Sequence, residues 1–343
     1  MLARPSMRIA IAGAGVAGSY IYRLLQLRGG HRVDIFDIRH RIACGIHPCG
    51  YGVDHNFDAL ARRAGLDPDR YVLNQPAGRG YLEGVPIRTT VYMIDKPRLI
   101  RDLLGDADVV CEPVDPDAYD LVVDATGEAR AYAPPLRDDL KARVVQWRVQ
   151  TKRPARLEFR PTRGVPGYAW DMPLSQNGTD THVGGGCRAG VRHPARKLTE
   201  PAFEGLDVER VICACGAFIR VSGPDFERTV HGKVWAVGEA AGLVSPVTGA
   251  GNVYAMLSGL QLVDHLGDPA GYVDTLRRTF SGLGGEARAV RRILAGRLPT
   301  PIDVYHVRLG WARGGVYVPW RRMPQIVFLM ERAFLRRANF IAA

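Results

Sequence analysis

The chain has 343 residues, 46% hydrophobic and 24% charged, which excludes an intrinsically disordered protein and allows a core large enough for two joined domains. Its formal net charge is +11, and only five of its 46 basic residues are lysine, at 96, 141, 152, 197 and 233. No zinc-finger spacing or aromatic RNA-binding signature accompanies that charge, so no nucleic acid is expected, and an anionic lipid or an acidic electron donor suits the basic surface better.

The first 40 residues read strand, glycine turn, helix, strand. Residues 7–12 form an apolar strand, Gly13-Ala-Gly15-Val16-Ala17-Gly18 opens a helix over 16–27, and Arg32–Phe36 is a second strand ending at Asp37. Asp37 follows Gly13 by 24 residues, where a dinucleotide fold presents the acid that binds ribose hydroxyls. In that setting Gly13, Gly15, Val16, Ala17 and Gly18 bring backbone N–H groups to a pyrophosphate, with Asp37 and Ile38 at the ribose. The plainer alternative is a turn that only packs helix on sheet.

A loop dense in glycine and cysteine follows, with Cys44, His47, Cys49 and Gly50. Cys44 and Cys49 are read either as a redox pair or as inert thiols. With one histidine between them and no fourth ligand nearby, no metal site is expected. Residues 80–95 alternate like strands, 97–104 read as helix, and 121–124 form a buried strand whose turn ends at Gly127.

From about 143 to 186 the pattern becomes antiparallel, with strands at 144–149, 156–160 and 181–183. Tyr168 and Trp170, two apart, share one face of a strand. They wall a slot for a flat or greasy substrate, or else pack in the core. Cys213 and Cys215 share a strand face too, and core packing is expected of both.

A short strand at 233–237 leads into Gly238-Glu239-Ala-Ala-Gly-Leu-Val-Ser-Pro246-Val-Thr-Gly249-Ala-Gly251-Asn252, ahead of a helix over 253–266. An acid at a strand's carboxyl edge, small residues and a helix start make a second ligand-facing turn. Two such turns, some 225 residues apart, predict one long cofactor held from both ends, FAD. The remainder, 268–343, reads as helical and arginine-rich. Its basic amphipathic stretch 320–337 is expected to pack on its own domain or to rest on an anionic membrane surface. The cysteine spacing gives no secreted-type framework, residues 1–6 are too short for a signal peptide, and no apolar run reaches the ~20 residues of a spanning helix. A cytoplasmic protein, with possible peripheral contact at the inner membrane face, is expected.

Together these motifs resemble the geranylgeranyl reductase family of FAD-dependent oxidoreductases, within the para-hydroxybenzoate hydroxylase-like group of flavoproteins. The resemblance lies in the first glycine turn with Asp37, Pro48-Cys49-Gly50, Asp124-Ala-Thr-Gly127 and the 238–252 block, which is similar to G-D-A-A-G…P…T-G-x-G. Tyr168-Ala-Trp170-Asp-Met-Pro173 is similar to the reductases' Y-x-W-x-F-P. The chain departs from the pattern with Glu239 for Asp, Met172 for Phe, Ala250 for Glu, Asn252 for Ile and Lys96 for Arg.

The resemblance implies an α/β fold: a Rossmann-like FAD-binding domain (1–79, 96–135, 205–267), an inserted antiparallel β-sheet substrate domain (80–95, 136–204) and a helical C-terminal region (268–343). It implies reduction of carbon–carbon double bonds in geranylgeranyl or other isoprenoid chains of lipids or quinones. Cys49, Tyr168 and Trp170 would stand at the reacting centre, Tyr168, Trp170 and Pro173 against the substrate. Cys49, Gly50, Gly127, Gly238, Glu239, Pro246, Gly249, Gly251 and Asn252 would contact the flavin. The electron donor would be ferredoxin, another small carrier or NAD(P)H, and the proton donor Cys49, Tyr168 or a water. A flavin monooxygenase of an aromatic substrate is the nearest alternative, and a non-catalytic flavin or isoprenoid carrier the next. A flavin halogenase shares a similar aromatic motif but needs a lysine from the first part of the chain, and none precedes Lys96.

Overall fold

The computed structural model describes residues 6–38, 50–191 and 193–325. Cys44, His47, Pro48 and Cys49 lie outside the described residues, as does most of the amphipathic stretch 320–337.

The chain opens with β1 (Arg8–Ala12), α1 (Val16–Arg28) and β2 (Arg32–Phe36). Next come β3 (Gly52–Val53), α2 (Asn56–Arg63), β4 (Val72–Asn74), β5 (Arg79–Leu82), β6 (Val85–Thr89) and β7 (Tyr92–Ile94). After α3 (Lys96–Leu104), β8 (Val109–Val110) and β9 (Leu121–Asp124), four longer strands follow: β10 (Lys141–Thr151), β11 (Glu158–Pro161), β12 (Gly167–Pro173) and β13 (Asp180–Arg188). Then come α4 (Ala195–Phe203), β14 (Val208–Arg220), β15 (Val230–His231), β16 (Val234–Ala236) and α5 (Asn252–Asp264). The described chain closes with α6 (Pro269–Thr279), α7 (Ser281–Leu294), α8 (Pro301–Arg313) and β17 (Val316–Tyr317).

One sheet runs β15-β16-β9-β1-β2-β8, parallel throughout except for the β15–β16 edge. Its central strands are apolar on both faces: Ile9, Ala10, Ile11, Val122 and Val123 have no exposed surface. That is how a parallel strand covered by helices on each side must read. α1 turns Tyr20, Ile21, Leu24 and Leu25 into this core, spaced as one helical stripe. α5 crosses it closely at Gly259, where a Cβ would lie 3.0 Å from Ile21.

The second sheet, β14-β10-β13-β12-β11-β5-β6-β17, is antiparallel except where β11 meets β5. A small third sheet, β3-β7-β4, lies apart. Strand membership departs from the expected boundaries in three places. β14, assigned to the cofactor domain, pairs with β10 instead; β7 joins the small sheet; β17, in the supposedly helical region, pairs with β6. An apolar strand reads the same whichever sheet it joins, and nothing local marks the change. Because β14 is an outer strand, Cys213 is exposed and Cys215 half-buried rather than packed in a core.

The glycine run Gly184-Gly185-Gly186 on β13 shapes the second sheet. A Cβ at Gly185 would lie 2.4 Å from the Leu198 carbonyl of α4, on one face. On the other, a Cβ at Gly184 would fall 2.2 Å from the Trp170 indole. The indole therefore lies flat over β13 and reaches β10, donating Nε1–H to Gln146 Oε1 at 3.1 Å.

Gly18 shows how tightly the first sheet and α1 are joined: a Cβ there would lie 1.8 Å from the Gly13 carbonyl oxygen. We predict that Gly18→Ala destabilises the protein by about 2–3 kcal/mol through overpacking against fixed backbone. Gly15→Ala, whose Cβ would meet nothing within 4 Å, is expected to cost under about 1 kcal/mol. Denaturant unfolding of both variants checks the contrast.

Candidate functional site

The carboxyl ends of β1, β9 and β16 open toward one face of the antiparallel sheet, and α7 and α8 close the far side. Between them lies a largely apolar cavity of about 500 Å³. At one end it meets the start of α1, where Gly13, Gly15, Val16, Ala17 and Asp37 line it, with Gly50 beside them. Asp37 Oδ2 accepts from the Ala14 N–H at 3.2 Å, which holds the acid against the glycine turn.

In mid-cavity, Gly127 and Glu239 come together from two different turns. Asp124 builds the first of these turns. Fully buried, it accepts from the Thr126 N–H and hydroxyl through Oδ1, and from the Tyr132 and Ala133 N–H groups through Oδ2. Arg130 then bridges to the second turn, donating to the carbonyls of Pro134, Ala240 and Arg228. Glu239 Oε1 accepts from the Arg220 N–H at 2.7 Å. Burial pushes its carboxyl up to about 7, against the pull of that hydrogen bond and of the Arg220 charge.

Pro246, Gly249, Gly251 and Asn252 line the next stretch, along the loop that ends at the start of α5. Asn252 Nδ2 donates to the carbonyls of Gly50 (3.0 Å) and Gly52 (3.1 Å), pinning the two glycine-rich regions together. The sheet face opposite carries Tyr168 and Trp170, their ring centroids 5.4 Å apart. The Tyr168 hydroxyl donates to the Thr248 carbonyl, and burial raises its pKa. A hydroxyl so committed clamps the loop and is poorly suited to give up its proton.

Four expected site residues sit elsewhere. Ile38 is 67% exposed and does not line the cavity. Gly18 packs on Gly13, and Gly238, at φ +57°, packs against Ala255 and Ala17, so both shape turns from behind the cavity wall. Pro173 is buried on the other face of β12, since alternation turns 168, 170 and 172 inward; Met172 lines the cavity in its place. Cys49 falls outside the described residues.

Other wall residues went unread in the sequence. Val290, Ile293 and Leu294 of α7 and Val307 and Trp311 of α8 line the cavity, although their helical spacing was visible. Lys96, buried at the start of α3, lines it as well.

Two of the helix starts that border the cavity lack a cap. α1 begins at Gly15 and α5 at Gly251, neither with a side-chain cap nor an acid in its first turn. The starts of α4 and α7 lack both as well, whereas Asp95, Asp268 and Thr300 cap α3, α6 and α8. Uncapped N–H groups and positive helix ends favour an anionic or electron-rich ligand. The open backbone at Gly15, with Asp37 beside it, fits a pyrophosphate and a ribose diol. The small-residue loop at α5 fits a flat ring.

Against known protein families the chain matches none. An uncharacterized protein of Methanocaldococcus jannaschii is 24% identical over 366 residues, 88% of this chain and 96% of that protein. Among solved structures, a geranylgeranyl bacteriochlorophyll reductase-like protein from Thermoplasma acidophilum superposes with a TM-score of 0.65 at 16% identity, over 96% of this chain and 99% of that one. A salicylate hydroxylase substrate complex gives 0.62 at 14% identity (96% and 98% covered). A flavoprotein/dehydrogenase from Cytophaga hutchinsonii gives 0.60 at 13% (97% and 99%). At such identities the agreement is one of architecture: the chain has the α/β fold of FAD-dependent oxidoreductases.

Glu239 gives this cavity a pH signature. With its folded pKa raised from 4.5 to about 7, its protonated form is favoured in the fold. Its contribution to stability is therefore complete below about pH 4.5 and lost as pH rises to about 7. The loss is on the order of 3 kcal/mol. Denaturant unfolding between about pH 5 and pH 8 should show this slope in the ligand-free protein, and Glu239→Gln should reduce it, leaving the share of Asp171, whose carboxyl burial also pushes up to about 7.

Proposed function

We propose that the chain is an FAD-dependent oxidoreductase that reduces carbon–carbon double bonds in an isoprenoid chain. One observation carries the reading: a single, largely apolar cavity joins two uncapped helix starts to an aromatic sheet face. FAD, when bound, supplies the hydride. The N–H groups at the start of α1 and Asp37 would hold its adenosine end, Glu239 its ribityl hydroxyls, and the loop 246–251 its ring.

The rest of the wall suits a greasy substrate. Tyr168, Trp170, Phe159, Val144 and Ile219 share one face of the antiparallel sheet, and side chains of α7 and α8 line the cavity with them, so each methylene laid against this wall gains roughly 0.8 kcal/mol on leaving water. Trp170 is fixed from both sides, by the Gly184 notch and by Gln146, and offers a wall that need not reorganise on binding.

The likeness to a salicylate hydroxylase structure keeps one alternative in view, oxygen-dependent hydroxylation of an aromatic ring. The two readings part at the product. Purified protein should carry stoichiometric FAD, identified by absorbance and by mass after release, and should consume a prenyl-lipid double bond anaerobically with a reduced donor. Oxygen-dependent NADPH consumption with a hydroxylated product supports the monooxygenase instead, and flavin without turnover on any donor a carrier.

Two substitutions test the wall. Tyr168→Phe removes the hydrogen bond to the Thr248 carbonyl and should slow product formation about tenfold, the equivalent of one hydrogen bond of about 1.4 kcal/mol. Trp170→Ala should slow it further, with flavin content near that of the unsubstituted protein in both. Unchanged turnover in both variants removes these aromatics from the site.

A further inference from the structure

α7 and α8 meet through notches that only glycine leaves open. A Cβ at Gly282 would lie 1.9 Å from the Arg313 guanidinium, one at Gly285 2.3 Å from the His306 ring, and one at Gly310 2.8 Å from the Glu286 carboxyl. Each notch admits a polar side chain from the opposite helix. Glu286 is fully buried among them. Its carboxylate accepts from Arg313 Nη1 at 2.7 Å and from the Ser245 hydroxyl at 2.7 Å, and a backbone hydrogen bond from Val247 completes its shell.

Ser245 is the anchor of the loop that runs to the start of α5. Its hydroxyl accepts from the Thr248 N–H at 3.1 Å, its N–H donates to the Ala250 carbonyl at 3.0 Å, and its carbonyl accepts from the Gly249 N–H at 2.8 Å. On the other side of the loop, a Cβ at Gly314 would lie 3.2 Å from the Thr248 hydroxyl. Arg313 and Gly314 both line the cavity.

Burying a carboxylate is costly, and a helix pair that needed only stability could replace such an ion pair with apolar packing. What an apolar side chain could not do is grip the loop. We infer that Glu286 is a positioning residue for the cofactor-facing loop, tying Ser245 and Val247 to the C-terminal helix pair and holding Arg313 at the cavity wall. This rests on the FAD reading above. Without the tie, the loop, which includes Gly249 at φ +66°, would have to be ordered when the cofactor binds, at an entropic cost.

The test titrates ligand-free protein with FAD by flavin fluorescence and measures the two-electron midpoint potential of the bound flavin. Glu286→Ala and Ser245→Ala should each weaken FAD at least tenfold. The double variant should be no weaker than the worse single one, because both break the same tie. Glu286→Gln leaves the Arg313 charge unneutralised beside the cavity. It should raise the potential, by about 30 mV for each tenfold change in the redox equilibrium.

A folded Glu286→Ala protein that binds FAD within twofold of the unsubstituted protein, at the same potential, overturns the inference. So do fully additive losses in the double variant. Should Glu286→Ala fail to fold, Ser245→Ala decides alone, and unchanged affinity there overturns it. If the unsubstituted protein takes up no FAD, the functional reading falls and this inference falls with it.

Discussion

The site depends on backbone approaching backbone more closely than any side chain allows. α1 rests directly on the glycine turn that precedes it, and that turn in turn lies against the Ala125 carbonyl, 2.4 Å from where a Cβ on Gly13 would be. This brings the ends of β1 and β9 together and leaves the first N–H groups of α1 facing the cavity. Asp124 then spends its whole carboxylate on the next turn. A fully buried acid with four hydrogen bonds organises the backbone and has no capacity left for a ligand. Arg130 ties this turn to the one that carries Glu239, through the Ala240 carbonyl.

The antiparallel sheet solves a different problem, that of placing a large aromatic ring flat against a strand. Three successive glycines leave β13 bare on both faces, so α4 can approach from one side and Trp170 from the other. Gln146 satisfies the indole N–H, as a buried donor requires. The arrangement fixes the wall before anything binds. Tyr168 adds a second link, from the sheet to the loop that leads into α5.

How much of this was legible in the sequence differed by region. The first strand, helix and acid were readable because parallel-sheet strands, a helical stripe and a glycine turn each leave a distinct pattern, and these fall in the order the fold requires. The 238–252 block was readable for the same reason. Sheet membership was not. β14 and β17 carry strand-like sequences that say nothing about their neighbours, and pairing across long separations is settled by tertiary contact. Ile38 and Pro173 show a finer limit, since adjacency in sequence to a site residue does not mean sharing its face. The contribution of α7 and α8 was missed because an apolar stripe looks the same whether it covers a core or a cavity.

The cavity draws its walls from residues as far apart in the chain as Gly13 and Val316. Such a space cannot exist in a partly folded molecule, because no contiguous segment encloses it. Whatever binds there is therefore linked to the cooperative stability of the entire chain rather than to one lobe. A ligand at a hundred times its dissociation constant would add about 2.7 kcal/mol against global unfolding. Occupancy would thus set how long the protein survives as well as what it can do.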